Sequence, residues 1–465
     1  MKKKLLVLMT LVLTIALIFS STLSVFAFSS KLTIVSKDVT IAVGQKFNLK
    51  AKLISGTGKF TYISSNKKVA NVDANGNVTA IARGSAVITV TNTKDKSTEK
   101  CKVTVPVLKK VTLKWYLPWM AVQKDQDLVF AAANKITIAK INTEVKWTPI
   151  SFGEYANKLQ ILQASGDQYD VCFTSNWLNN YLQGVAKGAY LALDSLLIKY
   201  APSYYQSASQ GFWNAAKVNG KIYGALIQQI YARNSNLNVI DSFNKNVPFN
   251  VNINPNTFKL TDLDPWFAKV SKEYPDKMAT QELGDITDLA SYFRLDYIAG
   301  ANIPGAIRYT DKTLKVINQY DSPEFMEFVK TQDNWIKKGY AKPKENTTDS
   351  IKGGVVASQI GGTKKPGGEA DAKASTGFST TLNAISPSFV STGSIQATLN
   401  GVSRTSKNPE RVMMLFELLN TDVNLYNTIL FGIKDKHFTL SGKRMTPIKD
   451  SGYSGATYGF FFMNV

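Results

Sequence analysis

The sequence predicts a multidomain chain: a small all-β sandwich followed by a larger α/β domain built on a parallel sheet. Three observations carry this. The chain has 465 residues, more than one domain ordinarily holds. Between residues 31 and 106, short β-branched runs are separated by turn residues at even spacing. From Val111 onward strand patterns alternate with helical ones, the order that gives parallel pairing. With 44% hydrophobic and 11% aromatic residues, the chain can bury a large core, which excludes a disordered polymer.

The first 27 residues read as an export signal. Lys2, Lys3 and Lys4 form its charged start, Leu5 to Phe19 its apolar stretch and Val25-Phe26-Ala27 its cleavage site. The mature chain is expected to begin near Phe28, secreted or cell-wall associated. The competing reading is an uncleaved anchor, since Leu5 to Ala27 is long enough to span a bilayer. No cysteine stands near the cleavage point, so a lipid-bearing lipoprotein is not expected. The two cysteines, Cys101 and Cys172, fall in different predicted domains and read as small buried hydrophobes, not as a disulfide or zinc site.

In the first unit the predicted strands are Leu32 to Val35, Val39 to Val43, Phe47 to Leu53, Val69 to Val72, Asn77 to Ala80, Ala86 to Thr91 and Lys100 to Val105. Breaks fall at Gly44, Gly56-Thr57-Gly58, Asn75-Gly76 and Gly84, and Asn75-Gly76 suits a turn that needs positive φ. The net charge of +21 is concentrated here: residues 31–106 hold 13 Lys and Arg against 4 Asp and Glu. In an exported chain such density fits an anionic cell-wall polymer or lipid surface, not nucleic acid. A solvated lysine-rich face with no partner is the alternative. The pieces VTIAVGQKFNLKAKL, YISSNKKVANVDANGNVTAIARGSAVITV and KCKVTV resemble the bacterial Ig-like group 2 domain. That resemblance implies a surface spacer or adhesive module.

In the second unit Val111 to Leu117 reads as a buried strand and Val122 to Lys140 as a helix. Ile141 to Trp147 follows as a strand, Phe152 to Ser165 as an amphipathic helix and Tyr169 to Phe173 as a strand. Open parallel sheets bind ligands outside the carboxyl ends of their strands. That rule singles out Trp119, Asn176 and Trp177. Gly220-Lys221 reads as a hairpin leading toward a crossing segment, so Gln228, Gln229 and Tyr231 are expected to face the cleft. Ser322-Pro323 should start a helix with Ser as cap and Pro in its first turn. Ser406 to Glu410 should start another, Arg411 to Leu419. The Gly- and Lys-rich stretch from Lys352 to Gly377 reads as a mobile loop. Its Gly361-Gly362-Thr363-Lys364 run lacks the spacing of a phosphate loop.

The pieces LKWYLPW, YANKLQILQASGDQYDVCFTSNW, VAKGAYLALDSLLIKYAPS, FWNAAKVNGKIYGALIQQ, NWIKKGYAKP and GVSRTSKNPERVMMLFELLNTDVNLYNTILFGI resemble, in family order, the extracellular solute-binding proteins of bacterial carbohydrate ABC importers. This implies a two-lobed periplasmic-binding-protein-like domain with a hinge. One lobe would span about 111–232 and 395–465, the other about 236–390. It also implies an oligosaccharide or other small solute as ligand, an ABC permease as partner and no cofactor. The final run, Tyr458 to Val465, stops where such proteins continue, so the C-terminus reads as truncated.

Sugars stack apolar faces on aromatic rings and bond their hydroxyls to amides and carboxylates. Trp119, Trp177, Trp213, Trp266, Tyr223, Tyr231, Tyr292 and Tyr297 supply the aromatics; Asn176, Gln228, Gln229 and Asp296 supply the polar groups. The candidate ligand-binding set is Trp119, Asn176, Trp177, Gln228, Gln229, Tyr231, Tyr292 and Asp296, though core packing competes for each aromatic. A polysaccharide hydrolase would need two spaced carboxylates, for which Asp194 with Asp296 is one pair open on sequence. A pure adhesin is the other alternative. The single histidine, His437, is expected at the surface. With no nucleophile signature and no metal cluster, an enzyme is not expected.

Overall fold

The structure, a computed structural model, describes residues 31–119, 122–227, 231–284, 286–298, 303–343, 351–365, 367–442 and 444–453. The expected export signal, Gln228, Gln229 and the final apolar run lie outside them. The chain divides into two units. One ends at Leu108 and takes in Ile198–Ser203; the other begins at Lys109 and comprises the rest.

The first unit is all β: β1 (Leu32–Thr33), β2 (Asp38–Thr40), β3 (Lys46–Asn48), β4 (Lys52–Leu53), β5 (Phe60–Ser64), β6 (Ala70–Val72), β7 (Asn77–Ala80), β8 (Gly84–Asn92) and β9 (Thr98–Val105). One sheet has the order β2-β9-β8-β5 and a second the order β3-β7-β6. Strict alternation sends Ala86, Ile88, Val90, Cys101, Val103 and Val105 into a shared core. The turn at Asn75-Gly76 is a four-residue loop. Gly76 has φ +78° and closes it with an N–H···O bond to Asp73 of 3.1 Å. Strand β5 escaped the sequence pattern. It pairs with β8 on one side only, and its Thr61 and Ile63 face solvent. The run Phe47 to Leu53 is broken in two by Lys50, at φ +47°.

The second unit starts with β10 (Val111–Trp119), β11 (Thr143–Ser151) and β12 (Val171–Thr174), all parallel, with β10 in the middle. The intervening helices are Gln126–Ile141 and Phe152–Ser165. The hairpin of β13 (Lys217–Val218) and β14 (Lys221–Ile222) turns through Asn219 and Gly220, at φ +50° and +79°. Strand β15 (Gly224–Leu226) does not extend the parallel set. A late strand, β21 (Leu399–Val402), inserts antiparallel between β12 and β15. Trp115 stacks on Trp147 at 5.3 Å, and Phe416 meets it edge-on at 5.6 Å. Phe416 belongs to the helix Pro409–Thr421, whose Arg411 donates to the carbonyls of Lys109, Ile141 and Asn142 and to Thr143 Oγ1.

A second sheet has β16 (Asn236–Ile240) between β19 (Ser358–Ile360) and β20 (Thr380–Ala384); the short pair β17 (Leu295–Tyr297) and β18 (Ala306–Arg308) lies outside it. Its core gathers Phe243, Trp266, Phe267 and Trp335. The helix Pro323–Lys337 is capped by Ser322, whose hydroxyl accepts from Phe325 N–H. The Gly- and Lys-rich stretch is not a loop: it contains β19 and the helix Gly368–Thr376. Pairing with β16 supplies bonds that its composition does not advertise.

Candidate functional site

A cavity of about 320 Å³ opens in the second unit, within the size range of small-ligand clefts. Asn176 and Trp177 enter it just past the carboxyl end of β12. They are fixed by the segment that leads into β21. Asn176 Nδ2 donates to Gly393 O at 3.0 Å, and Trp177 Nε1 donates to Ala397 O at 2.8 Å. The Trp177 ring lies parallel to Phe152 at 6.2 Å, with an interplanar angle of 14°. It is still 52% exposed, so one aromatic face is available to a ligand.

The facing wall comes from β17 and the loops around the second sheet. Asp296 Oδ2 accepts from Thr392 N–H at 3.3 Å, whereas Oδ1 is buried with no hydrogen-bond partner. Burial raises the Asp296 carboxyl above its ordinary range, opposed by hydrogen bonds from Thr392 and Gly393. Tyr309 packs on Phe389 at 4.5 Å, and burial pushes its phenol up to about 12. At the crossing, Arg233 and Phe389 exchange backbone N–H···O bonds of 2.8 Å in both directions. Arg233 remains exposed to the water of the cavity, yet surrounding protein partly desolvates it and lowers its guanidinium from the ordinary value.

Of the sequence candidates, Asn176, Trp177 and Asp296, together with the aromatic Tyr297, therefore share one cavity. Trp119 does not line it: the ring is 2% exposed and packs edge-on against Phe130 at 6.0 Å. The strand end puts this side chain on the core side of the sheet. Tyr231 is likewise buried, donating to Ile227 O at 2.8 Å and meeting Phe212 at 4.9 Å. Tyr292 lines a different cavity, where its hydroxyl accepts from Leu260 N–H and donates to Glu327. Trp213 and Trp266 are core residues. Asp194 accepts from Ile222 N–H and is not among the residues that line the Asp296 cavity.

His437 is buried, not at the surface. Its Nδ1 accepts from Ile433 N–H at 2.8 Å, so the ring proton sits on Nε2, 3.0 Å from Asp125. Arg233, Asn234, Tyr309, Phe389, Gly362 and Thr363 line the cavity without having been singled out as ligand residues. Only the glycine pair carried a local signal. Among the described residues no cluster of His, Cys, Asp and Glu could hold a metal, and no helix is long and apolar enough to cross a membrane.

A family profile, the intimin immunoglobulin-like domain, matches residues 43–94. A carbohydrate ABC transporter substrate-binding protein of Streptococcus pneumoniae serotype 4 is 28% identical over 341 residues, covering 71% of this chain and 67% of the relative. Among solved structures, the N-glycan transport solute binding protein NgtS of Streptococcus pneumoniae aligns with a TM-score of 0.66 at 23% identity, over 76% of this chain and 78% of that one. Its complex with Man1GlcNAc aligns at 0.60 and 22% identity, with the same coverage. The alginate-binding protein AlgQ2 aligns at 0.54 and 16% identity, over 77% and 78%. At these identities the solved structures establish the fold. The chain is thus a homologue of a carbohydrate ABC transporter substrate-binding protein, its two-lobed α/β solute-binding fold preceded by an Ig-like region.

Proposed function

We propose that the chain is the extracellular substrate-binding component of a carbohydrate importer, capturing an oligosaccharide in the cavity and presenting it to an ABC permease. The observation that carries this reading is the pairing of the half-exposed Trp177 face with Asn176 and Asp296 in one cavity. An aromatic platform beside an amide and a carboxylate suits a ring with apolar faces and hydroxyl edges. The named relatives are substrate-binding proteins, not enzymes, and Asp194 is engaged elsewhere. The test is thermal denaturation of the whole chain with an oligosaccharide panel that includes mannose–N-acetylglucosamine compounds. A ligand at about 100 times its Kd adds about 2.7 kcal/mol of stability. A panel without a single stabilising sugar would refute the proposal.

We also propose that the Ig-like region holds the protein to an anionic envelope polymer. Its acids are engaged locally: Glu99 by Lys37, Asp38 by Lys199, and Asp73 and Asp95 by neighbouring turn groups. Lys100 and Lys102 are left on the outward side of β9. Binding of the whole chain to isolated cell walls should be lost in 1 M salt, where the Debye length falls to about 3 Å. Retention at that salt would rule out an electrostatic anchor.

A further inference from the structure

The run Gly361-Gly362-Thr363-Lys364 leaves the end of β19 and passes alongside the crossing segment that carries Arg233. Gly361 N–H donates to Asn236 O at 2.9 Å, Thr363 Oγ1 to Asn234 O at 3.3 Å and Lys364 N–H to Asn234 Oδ1 at 2.9 Å. Gly361 and Gly362 hold φ of +146° and +68°, which other residues rarely adopt. A Cβ built on either would meet nothing within 4 Å. Gly362 and Thr363 line the same cavity as Arg233. Among the described residues, the backbone N–H groups of Gly362 and Thr363 have no acceptor, and neither does the Arg233 guanidinium.

The charged residues among those lining the cavity are Arg233 and Asp296, and they do not pair. What acts on Asp296 is burial and the Thr392 and Gly393 groups. A ligand that displaces water from this cavity strips hydration from an unpaired cation. The guanidinium and the two amide N–H groups are all donors, and a negatively charged acceptor makes the stronger bonds with them.

We propose that Arg233, with the Gly362 and Thr363 amides, forms a specificity corner for an anionic substituent, a carboxylate, phosphate or sulfate, on the captured saccharide. The inference rests on the carbohydrate reading above and adds the substrate class. Asp296, in the same cavity, repels the same group, which favours the acid toward Arg233.

The test is calorimetric titration of the whole chain with disaccharide pairs that share a skeleton: cellobiose with cellobiouronic acid, and β-1,4-mannobiose with its mannuronate counterpart. A 6-phosphorylated disaccharide and inorganic phosphate complete the set. The acidic member of a pair should bind about tenfold more tightly or better than the neutral one. Arg233→Gln should narrow the acidic member's advantage over the neutral one to about twofold or less, while Arg233→Lys restores part of it. Both variants keep the backbone exchange with Phe389, and circular dichroism checks that they fold. Uronate against phosphate tells which acid the corner prefers. Inorganic phosphate binding as tightly as the acidic disaccharides would overturn the proposal, as would an acid preference that survives Arg233→Gln. Neutral sugars that bind as tightly as their acidic partners would sink this inference and leave carbohydrate capture standing. No binding by any saccharide would sink both.

Discussion

Replacing Trp177 by alanine removes a large, half-exposed aromatic face from the cavity wall. A tryptophan covers about 150–250 Å² when buried. At 52% exposure, about 80–130 Å² is therefore free for a sugar ring to cover. At about 25 cal/mol per Å² this is about 2–3 kcal/mol of binding, or about 30- to 150-fold in Kd. The same substitution also costs folding energy. The half of the ring against Phe152 and Phe173 is worth about as much again, and the indole N–H bond to Ala397 adds about 1 kcal/mol. Two measurements keep these apart: calorimetric titration with the most stabilising oligosaccharide of the panel, and thermal denaturation without ligand. Both should fall. Affinity within about twofold of the parent, alongside a clear loss of ligand-free stability, would mean that Trp177 is a packing residue and that the sugar lies elsewhere.

Asp296→Asn should stabilise the ligand-free protein at neutral pH but not in acid. The folded carboxyl titrates above its ordinary value, so as pH rises through the unfolded value the unfolded chain ionises first and native stability falls; parallel denaturation curves for parent and variant at both pH values would contradict this. Arg411→Met leaves three carbonyls and Thr143 Oγ1 without their guanidinium donor. It should cost about 1–3 kcal/mol, and a chemical-denaturation loss below about 0.5 kcal/mol would show that water replaces the side chain. Cys101 and Cys172 are buried thiols pushed up to about 12 by that burial. At neutral pH they should label slowly in the native protein and as two thiols after denaturation, whereas none after denaturation would reveal a disulfide.

By itself the sequence determined the features whose causes lie within a few residues. Alternation along β8 and β9 sets which side chains enter the sandwich core. Ser322 reaches Phe325 N–H three residues on, and Asn219-Gly220 turns the β13–β14 hairpin through positive φ. The place of Asn176 and Trp177 on the cavity wall was legible because a parallel strand's carboxyl end is a local landmark. The partners that hold those two side chains were not, since Gly393 and Ala397 lie 217 and 220 residues away in sequence. Only the insertion of β21 between β12 and β15 brings them there. The same rule misplaced Trp119, because the position of a strand end does not tell which side of the sheet its last residue faces. Burial of His437 depends on Asp125, 312 residues distant. Strand β19 owes its form to pairing with β16, overriding a glycine- and lysine-rich context. The cavity's second wall and the Arg233 corner likewise come from segments that meet only after the chain has crossed and returned. Periodicity records what a side chain does within its own turn or strand, whereas contacts across hundreds of residues are selected by the packing of the whole fold.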